Sequence, residues 1–145
     1  MIVSLVYQLQ EKIFIKNKIY KNLFIRVTSF GYKYGIPQEA DLVFDVRFMP
    51  NPFYVEELKS KTGEDQDVRD YVLQTDISKE FIEKLNDMVD FLIPNYVNEG
   101  KNQLVVAIGC TGGKHRSVTV AKKLYEHLSS KEGYGIKLEH RDIKR

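Results

Sequence analysis

The 145-residue sequence has a single cysteine, no low-complexity stretch and no long hydrophobic run. A lone cysteine excludes an intrachain disulfide bond and a metal site built from several thiolates, and it is typical of a protein from the reducing cytoplasm. The apolar segment Ile2 to Tyr7 is too short to span a membrane. It also lacks the basic start and the small-residue cleavage site of a secretion signal. We therefore expect a cytoplasmic protein without a membrane segment.

The composition is that of a globular protein, with 43% hydrophobic and 29% charged residues, and the length suits one domain. Charge is unevenly distributed along the chain. Residues 1–35 carry a net +5, residues 36–100 a net −9 and residues 101–145 a net +6. If the two basic ends meet in the fold, they form a face suited to phosphates or nucleic acid. A merely solvated basic surface is the alternative reading of the same charges.

Four short apolar runs with β-branched or alternating residues predict strands. They span residues 23–30, 42–46, 104–108 and 136–140, the last near an edge of the sheet. Residues 1–22 alternate only weakly and are predicted to be an N-terminal arm or an edge strand outside a domain at 23–145.

Apolar residues at helical spacing predict a short helix around residues 68–74 and longer helices at about 78–96 and 114–130. Pro94 should bend or end the second of these, because proline cannot donate a backbone hydrogen bond. Strands that alternate with helices predict an α/β domain, a three-layer sandwich with a mixed, partly parallel sheet.

The central stretch of the chain runs from Leu104 to Ser117 and reads LVVAIGCTGGKHRS. It predicts a buried strand, a glycine-rich turn and the start of a helix. Such a turn directs unpaired N–H groups and the positive end of the helix dipole toward one point, where an anion can bind. The cationic side chains of Lys114, His115 and Arg116 lie beside that point. We expect an anion site here.

The spacing of this loop excludes a Walker A motif, because Gly113-Lys114 is followed by histidine and no glycine stands five positions earlier. The spacing from Cys110 to Arg116 instead resembles the phosphate loop of cysteine-dependent phosphatases. A helix N-terminus and nearby cations favour the reactive thiolate form of cysteine. However, Gly109 replaces the histidine that usually precedes that cysteine. A tight strand-to-helix connection with a small buried cysteine is the structural alternative.

Three charged residues follow the other predicted strands. Lys33 lies at the carboxyl end of one strand, where ligands bind in open α/β sheets. Asp45 and Arg47 stand two positions apart and would point to the same side of an extended strand. They form either a mutual ion pair or part of a ligand site, and Asp45 would accept hydrogen bonds from sugar hydroxyls or an ammonium group.

Four ordered motifs give the sequence a family resemblance. SFGYKYGIP, ADLVFDVRFMPNP, TGEDQDVRDY and AIGCTGGKHRS, which span residues 29–37, 40–52, 62–71 and 107–117, resemble the C-terminal domain of the RNase adapter family RapZ. The match covers the chain from about residue 23 onward, without the N-terminal nucleotide-binding domain of that family. The resemblance implies an α/β domain similar to part of phosphofructokinase. It implies no cofactor and no metal site.

The resemblance also implies partners and site residues. The implied partners are the amino-sugar phosphate glucosamine-6-phosphate, a small RNA, an endoribonuclease and further copies of the same chain. Carried over by motif, the residues that form or border the phosphosugar pocket are Lys33, Asp45, Arg47, Cys110, Thr111, Gly112, Gly113, Lys114, His115 and Arg116. Lys144 and Arg145 match a basic tail that contacts RNA. Tyr34 and Phe53 depart from the family pattern, since histidines often occupy these two positions.

Two functions from different classes therefore remain open. The first is a non-catalytic adapter that senses a phosphosugar and binds RNA, which the family motifs and the residue before the cysteine favour. The second is a cysteine-dependent phosphatase, with Cys110 as the nucleophile, Arg116 as the phosphate clamp and Asp45 as the general acid.

Overall fold

The computed structural model describes residues 23–131 and 135–145. The predicted arm or edge strand at residues 1–22 lies outside the described residues.

The core of the fold is a parallel sheet in the order β2-β3-β1-β4. Its strands are β1 at Phe24–Gly31, β2 at Leu42–Asp45, β3 at Gln103–Cys110 and β4 at Gly135–His140. Each pairing within the described residues is parallel, so the antiparallel component of the predicted mixed sheet is not found in this part of the chain. The edge position predicted for the last strand is confirmed for the described sheet.

Four helices accompany the sheet in the described part of the chain. They are α1 at Glu56–Lys59, α2 at Gln66–Val72, α3 at Asp76–Asn98 and α4 at Arg116–Ser129. Single 3₁₀ turns lie at Tyr32–Tyr34 and Pro52–Tyr54. Helix α4 packs on β1, β3 and β4, while α2 and α3 pack against α4. This arrangement confirms the α/β class and is consistent with the predicted three-layer sandwich.

Pro94 was predicted to bend its helix or end it nearby, and α3 does not end at the proline itself but four residues later, at Asn98. Packing explains the continuation. Ile93 is buried and Tyr96 packs against the same core, so their burial outweighs one missing backbone hydrogen bond. The Asn95 side chain donates to the carbonyl of Phe91 at 2.8 Å within the same turn of helix.

Apolar side chains of the strands and helices form one core. It includes Val27, Val106, Leu124, Val89 and Ile93, all at most 1% exposed. Val27 lies opposite both Val106 and Leu138 in the strand register. Because the strands are parallel, their carboxyl ends meet at one edge of the sheet. The connection that leaves β1 at this edge crosses to β2 on one side of the sheet. The connection that leaves β3 crosses to β4 on the other side, so the two run in opposite directions. A crevice at such a point is where α/β proteins bind ligands.

Two glycines bring β1 against the loop that follows β3. A Cβ atom at Gly113 would lie 2.6 Å from the backbone nitrogen of Gly31, and a Cβ at Gly31 would lie 2.6 Å from the carbonyl carbon of Gly112. Gly113 also has a φ of +78°, a conformation that side chains disfavour. Both positions therefore require glycine, and their contact fixes the path of the loop.

A matched pair of substitutions tests this contact. Gly113→Ala should lower the free energy of unfolding by about 2 kcal/mol or more, because it adds backbone strain to a steric clash. Gly112→Ala meets open space at an ordinary φ and should change that free energy by less than about 0.5 kcal/mol. Urea denaturation measures both. Equal, small effects would show that the loop does not depend on this close approach.

Candidate anion-binding site

The loop after β3 presents a row of free backbone donors. The strand ends at Cys110 and α4 begins at Arg116. Within the described residues, none of the N–H groups from Thr111 to Val118 donates a hydrogen bond. His115 precedes the helix without forming a side-chain cap. Unpaired amides at a helix N-terminus attract an anion, as the sequence predicts.

Arg116, the first residue of α4, is a buried cation beside these amides. It is only 5% exposed, and one terminal nitrogen donates to the carbonyl oxygens of Arg47 at 2.6 Å and Met49 at 3.5 Å. The other donates to Thr111 Oγ1 at 3.4 Å, while Nε is buried and has no partner in the described part of the chain. Among the same residues no carboxylate forms a salt bridge with Arg116. Burying an uncompensated cation is unfavourable, so this site favours a bound anion.

His115 supplies a second buried polar atom. The residue is 8% exposed, and its Nε2 finds no hydrogen-bond partner within residues 23–131 and 135–145. Burial lowers the pKa of His115 below its ordinary value, and the positive charges of Arg116 and Lys114 lower it further. Carbonyl groups of Lys59 and Lys61 act in the opposite direction without cancelling the effect. Burial therefore favours the neutral imidazole, which keeps one N–H donor and one acceptor nitrogen.

These groups line a cleft of about 420 Å³ at the carboxyl edge of the sheet. Its lining includes seven of the ten residues predicted to form or border the phosphosugar pocket: Lys33, Cys110, Thr111, Gly112, Lys114, His115 and Arg116. Cys110 is buried, and its Sγ donates to Ser117 Oγ at 3.1 Å. The structure thus gathers two separate stretches of sequence, residue 33 and residues 110–116, around one cavity.

The other three predicted residues are not among those that line the cleft. Arg47 and Asp45 form the mutual ion pair that the sequence left open, with Arg47 Nη2 2.7 Å from Asp45 Oδ2. Hydrogen bonds from the Arg47 side chain hold the pKa of Asp45 below its usual value. Arg47 contributes to the site through its carbonyl group, which orients Arg116. Gly113 contributes by packing the loop against Gly31.

Aromatic side chains form much of the remaining wall. Tyr34, Phe53 and Tyr54 line the cleft together with Asn51, and Tyr54 is 82% exposed. The family motifs place Tyr34 and Phe53 at pocket positions, whereas Tyr54 and Asn51 were not predicted to lie there. The sequence signal for this turn was the Asn51-Pro52 pair, since Asn-Pro is typical of turns. The Asn51 side chain accepts from the N–H of Phe53 at 3.1 Å and begins the 3₁₀ turn that directs these rings.

The C-terminal turn reaches the same cleft. Arg145, predicted from the resemblance to contact RNA, is among the lining residues, whereas Lys144 is exposed and is not. The turn is fixed by Asp142, a fully buried carboxylate that accepts from the N–H of Gly31 at 2.8 Å. Asp142 also pairs with Arg141 and Arg145 at 2.9 Å each. Asp142 was not predicted to have a structural role, although an acidic residue within a basic tail is a usable signal.

Asp142 should make stability depend on pH. Burial alone would raise the pKa of Asp142, but hydrogen bonds from Arg141 and Gly31 outweigh it, and the pKa lies below its usual value. A carboxylate with a lowered pKa stabilises the fold above about pH 4, and this contribution is lost as the pH falls through the folded-state pKa. Asp142→Asn should therefore lower the free energy of unfolding by about 1–3 kcal/mol at pH 7, and the difference should shrink below about pH 4.

Urea denaturation of both proteins at pH 7, 5 and 3 checks this prediction. Asp87→Asn is the control, since Asp87 is an exposed acid on α3 and its loss should change stability by less than about 0.5 kcal/mol. A difference between wild type and Asp142→Asn that is the same at pH 7 and pH 3 would contradict the role given to this carboxylate.

Among the described residues, no three histidine, cysteine, aspartate or glutamate side chains group closely enough to hold a metal ion. None of the helices described above has the length and apolar character needed to cross a membrane.

Comparison with known proteins identifies the family. The sequence model of the RapZ C-terminal domain matches residues 23–144. A nucleotide-binding protein of Agathobacter rectalis is 63% identical over 133 residues, which is 92% of this chain and 46% of the relative. A nucleotide-binding protein of Thermoanaerobacter sp. strain X514 is 61% identical over 139 residues, 94% of this chain and 49% of the relative. This chain thus spans about half the length of these relatives. It belongs to the RapZ C-terminal domain family.

Proposed function

We propose that this domain is a non-catalytic sensor and RNA-binding adapter, which binds an amino-sugar phosphate such as glucosamine-6-phosphate at the loop formed by residues 109–117. One observation carries the proposal. The cleft is lined by five loop residues, at positions 111, 112 and 114–116, whose backbone N–H groups have no partners among the described residues, and the buried Nε of Arg116 lacks a partner among them as well.

The phosphate half of the ligand fits these donors. A phosphate dianion can accept several hydrogen bonds at once, and each charge-assisted bond contributes roughly 1.5–3 kcal/mol. It would also neutralise the buried charge of Arg116. Lys33 and Lys114 line the same cleft and add positive charge from two sides.

The sugar half fits the wall opposite. The rings of Tyr34, Phe53 and Tyr54 offer apolar faces for a pyranose, and Asn51 offers an amide for its hydroxyl groups. Asp45 was expected to receive the amino group, but it is paired with Arg47 and does not line the cleft. In this proposal the phosphate therefore provides most of the affinity.

A nucleotide is the competing ligand. Relatives of this chain are called nucleotide-binding proteins, but those proteins are about twice as long, and the Walker A spacing is absent from the loop described here. A nucleotide phosphate would meet the same amides and the same arginine. Adenosine triphosphate therefore belongs in any binding experiment as a separate arm.

The phosphatase alternative has weaker support. It needs an acid to protonate the leaving group, and none of the described residues that line the cleft is an aspartate or a glutamate. Asp45, the acid that the sequence suggested, is held by Arg47. Turnover of an aryl phosphate that disappears in Cys110→Ser would nevertheless establish this activity.

RNA binding and protein partners rest on the family resemblance, with two supporting features. Lys33, Lys114, Lys144 and Arg145 all follow the carboxyl ends of strands and give this edge of the sheet a positive charge. Ile77, Met88 and Phe91 are exposed on one side of α3, an apolar surface of the kind that contacts with an endoribonuclease or a second copy would cover.

Calorimetric titration tests the ligand. Glucosamine-6-phosphate should bind the wild-type domain, and Arg116→Gln should weaken it about 10-fold to 100-fold by removing a charge-assisted contact. Lys33→Ala should weaken binding less than Arg116→Gln does. It tests the same cleft even if loss of the buried Arg116 side chain unfolds the domain. Lys123→Ala, which removes an exposed charge of α4 outside the cleft, should bind within twofold of wild type. Absence of heat with glucosamine-6-phosphate, or equal affinity in all variants, would contradict the assignment.

RNA binding should depend steeply on salt. Contacts between basic side chains and RNA phosphates release counterions, so log K should fall linearly with log salt, with a slope of about −2 for three such contacts. Lys144→Ala should make the slope shallower by about 0.7. Filter binding of a small structured RNA from 50 to 300 mM salt measures this slope. Binding that is insensitive to salt, or no binding at the lowest salt, would remove RNA from the proposal.

A further inference from the structure

We infer that Arg145 is a second phosphate-contacting arginine of the cleft, positioned by the C-terminal turn at residues 141–145. The inference rests on the proposed function and extends it, because the family resemblance implies only that Arg145 contacts RNA. It assigns the residue to the small anionic ligand instead.

The position of Arg145 is the first support. Its side chain lines the cleft together with Arg116, although the two residues are 29 positions apart in the sequence. Its guanidinium lies over the ring of Tyr34, with 4.7 Å from Cζ to the ring centroid. The ammonium of Lys33 lies 5.1 Å from the same ring centroid. Tyr34 thus holds two cations at one wall of the cleft.

The anchor of the turn is the second support. Asp142 is fully buried, accepts from the N–H of Gly31, and lies 2.9 Å from Arg145 Nε. A Cβ built on Gly113 would also come within 2.9 Å of the Asp142 Cβ, so the turn packs directly behind the anion-binding loop. The turn is therefore anchored to the loop through Asp142, and Arg145, whose side chain is 54% exposed, extends from this anchor to the cleft.

The remaining donors are the third support. Arg116 directs one terminal nitrogen to two backbone carbonyls, which leaves few of its donors for a ligand. Arg145 uses Nε for Asp142, and its two terminal nitrogens have no partner among the described residues. Arg116 and Arg145 together therefore offer more unused guanidinium donors than Arg116 alone, and a planar fork suits phosphate oxygens.

Calorimetry with glucosamine-6-phosphate, and separately with inorganic phosphate, tests the inference on the full chain. Arg145→Gln should weaken both probes about 10-fold or more. Arg145→Lys should weaken them less, because it keeps the charge and loses only the planar fork. Lys123→Ala is the matched loss of one exposed charge outside the cleft and should stay within twofold of wild type. Thermal unfolding midpoints of all variants separate lost contacts from lost folding.

The outcomes distinguish this inference from the proposed function. If the wild-type domain binds and Arg116→Gln binds weakly, but Arg145→Gln binds as wild type, the inference fails and the proposed function stands. Loss of RNA affinity with full phosphosugar affinity in Arg145→Gln would likewise overturn it and return Arg145 to the RNA surface. If the wild-type domain binds neither probe, both fail together. Weakened binding in Arg145→Gln with an unchanged unfolding midpoint supports the inference.

Discussion

The contact between the backbones of Gly31 and Gly113 is the constraint on which the site depends. It brings the end of β1 so close to the loop after β3 that neither position leaves room for a Cβ atom. Held in this way, the loop places the N–H groups of residues 111–118 where no acceptor of the described chain reaches them. Asp142 supports the same contact from behind through its hydrogen bond with Gly31. The fold thus stabilises a loop whose donors remain available to a ligand.

The electrostatics of the cleft follow from this geometry. Arg116 is buried against backbone carbonyls, which orient it but carry no net charge to neutralise it. Two carboxylates of this region, Asp45 and Asp142, are paired with other arginines. The cleft is therefore deficient in negative charge, and this deficiency is the physical basis of the proposed anion site. Ion pairing elsewhere in the site positions its cations without neutralising Arg116.

Much of the fold and the centre of the site could be predicted from the sequence. The β-branched run before Gly109 and the helical spacing after Arg116 indicated a strand, a loop and a helix, because each period is a local property of the chain. The proposed anion site follows from that order, since it depends on backbone groups near in sequence. The structure also shows the ion pair between Asp45 and Arg47, one of the two readings that the sequence allows. Local patterns could not decide between them.

Other features depend on contacts between distant residues and left weak local signals. Arg145 meets Tyr34 across the cleft, and Asp142 meets Gly31 across 111 positions of sequence. Hydrophobic periodicity along the sequence does not indicate such contacts. The continuation of α3 through Pro94 depends on the burial of Ile93, a tertiary effect that overrides a local preference. The aromatic wall at Phe53 and Tyr54 depends on a single 3₁₀ turn that begins at Asn51.

A crystal structure of the domain grown in inorganic phosphate tests the central claim most directly. The account predicts tetrahedral density in the cleft, within hydrogen-bond distance of the amides between Thr111 and Ser117 and of Arg116 Nε. An empty loop at millimolar phosphate, or an Arg116 side chain that turns away from the loop to solvent, would contradict it.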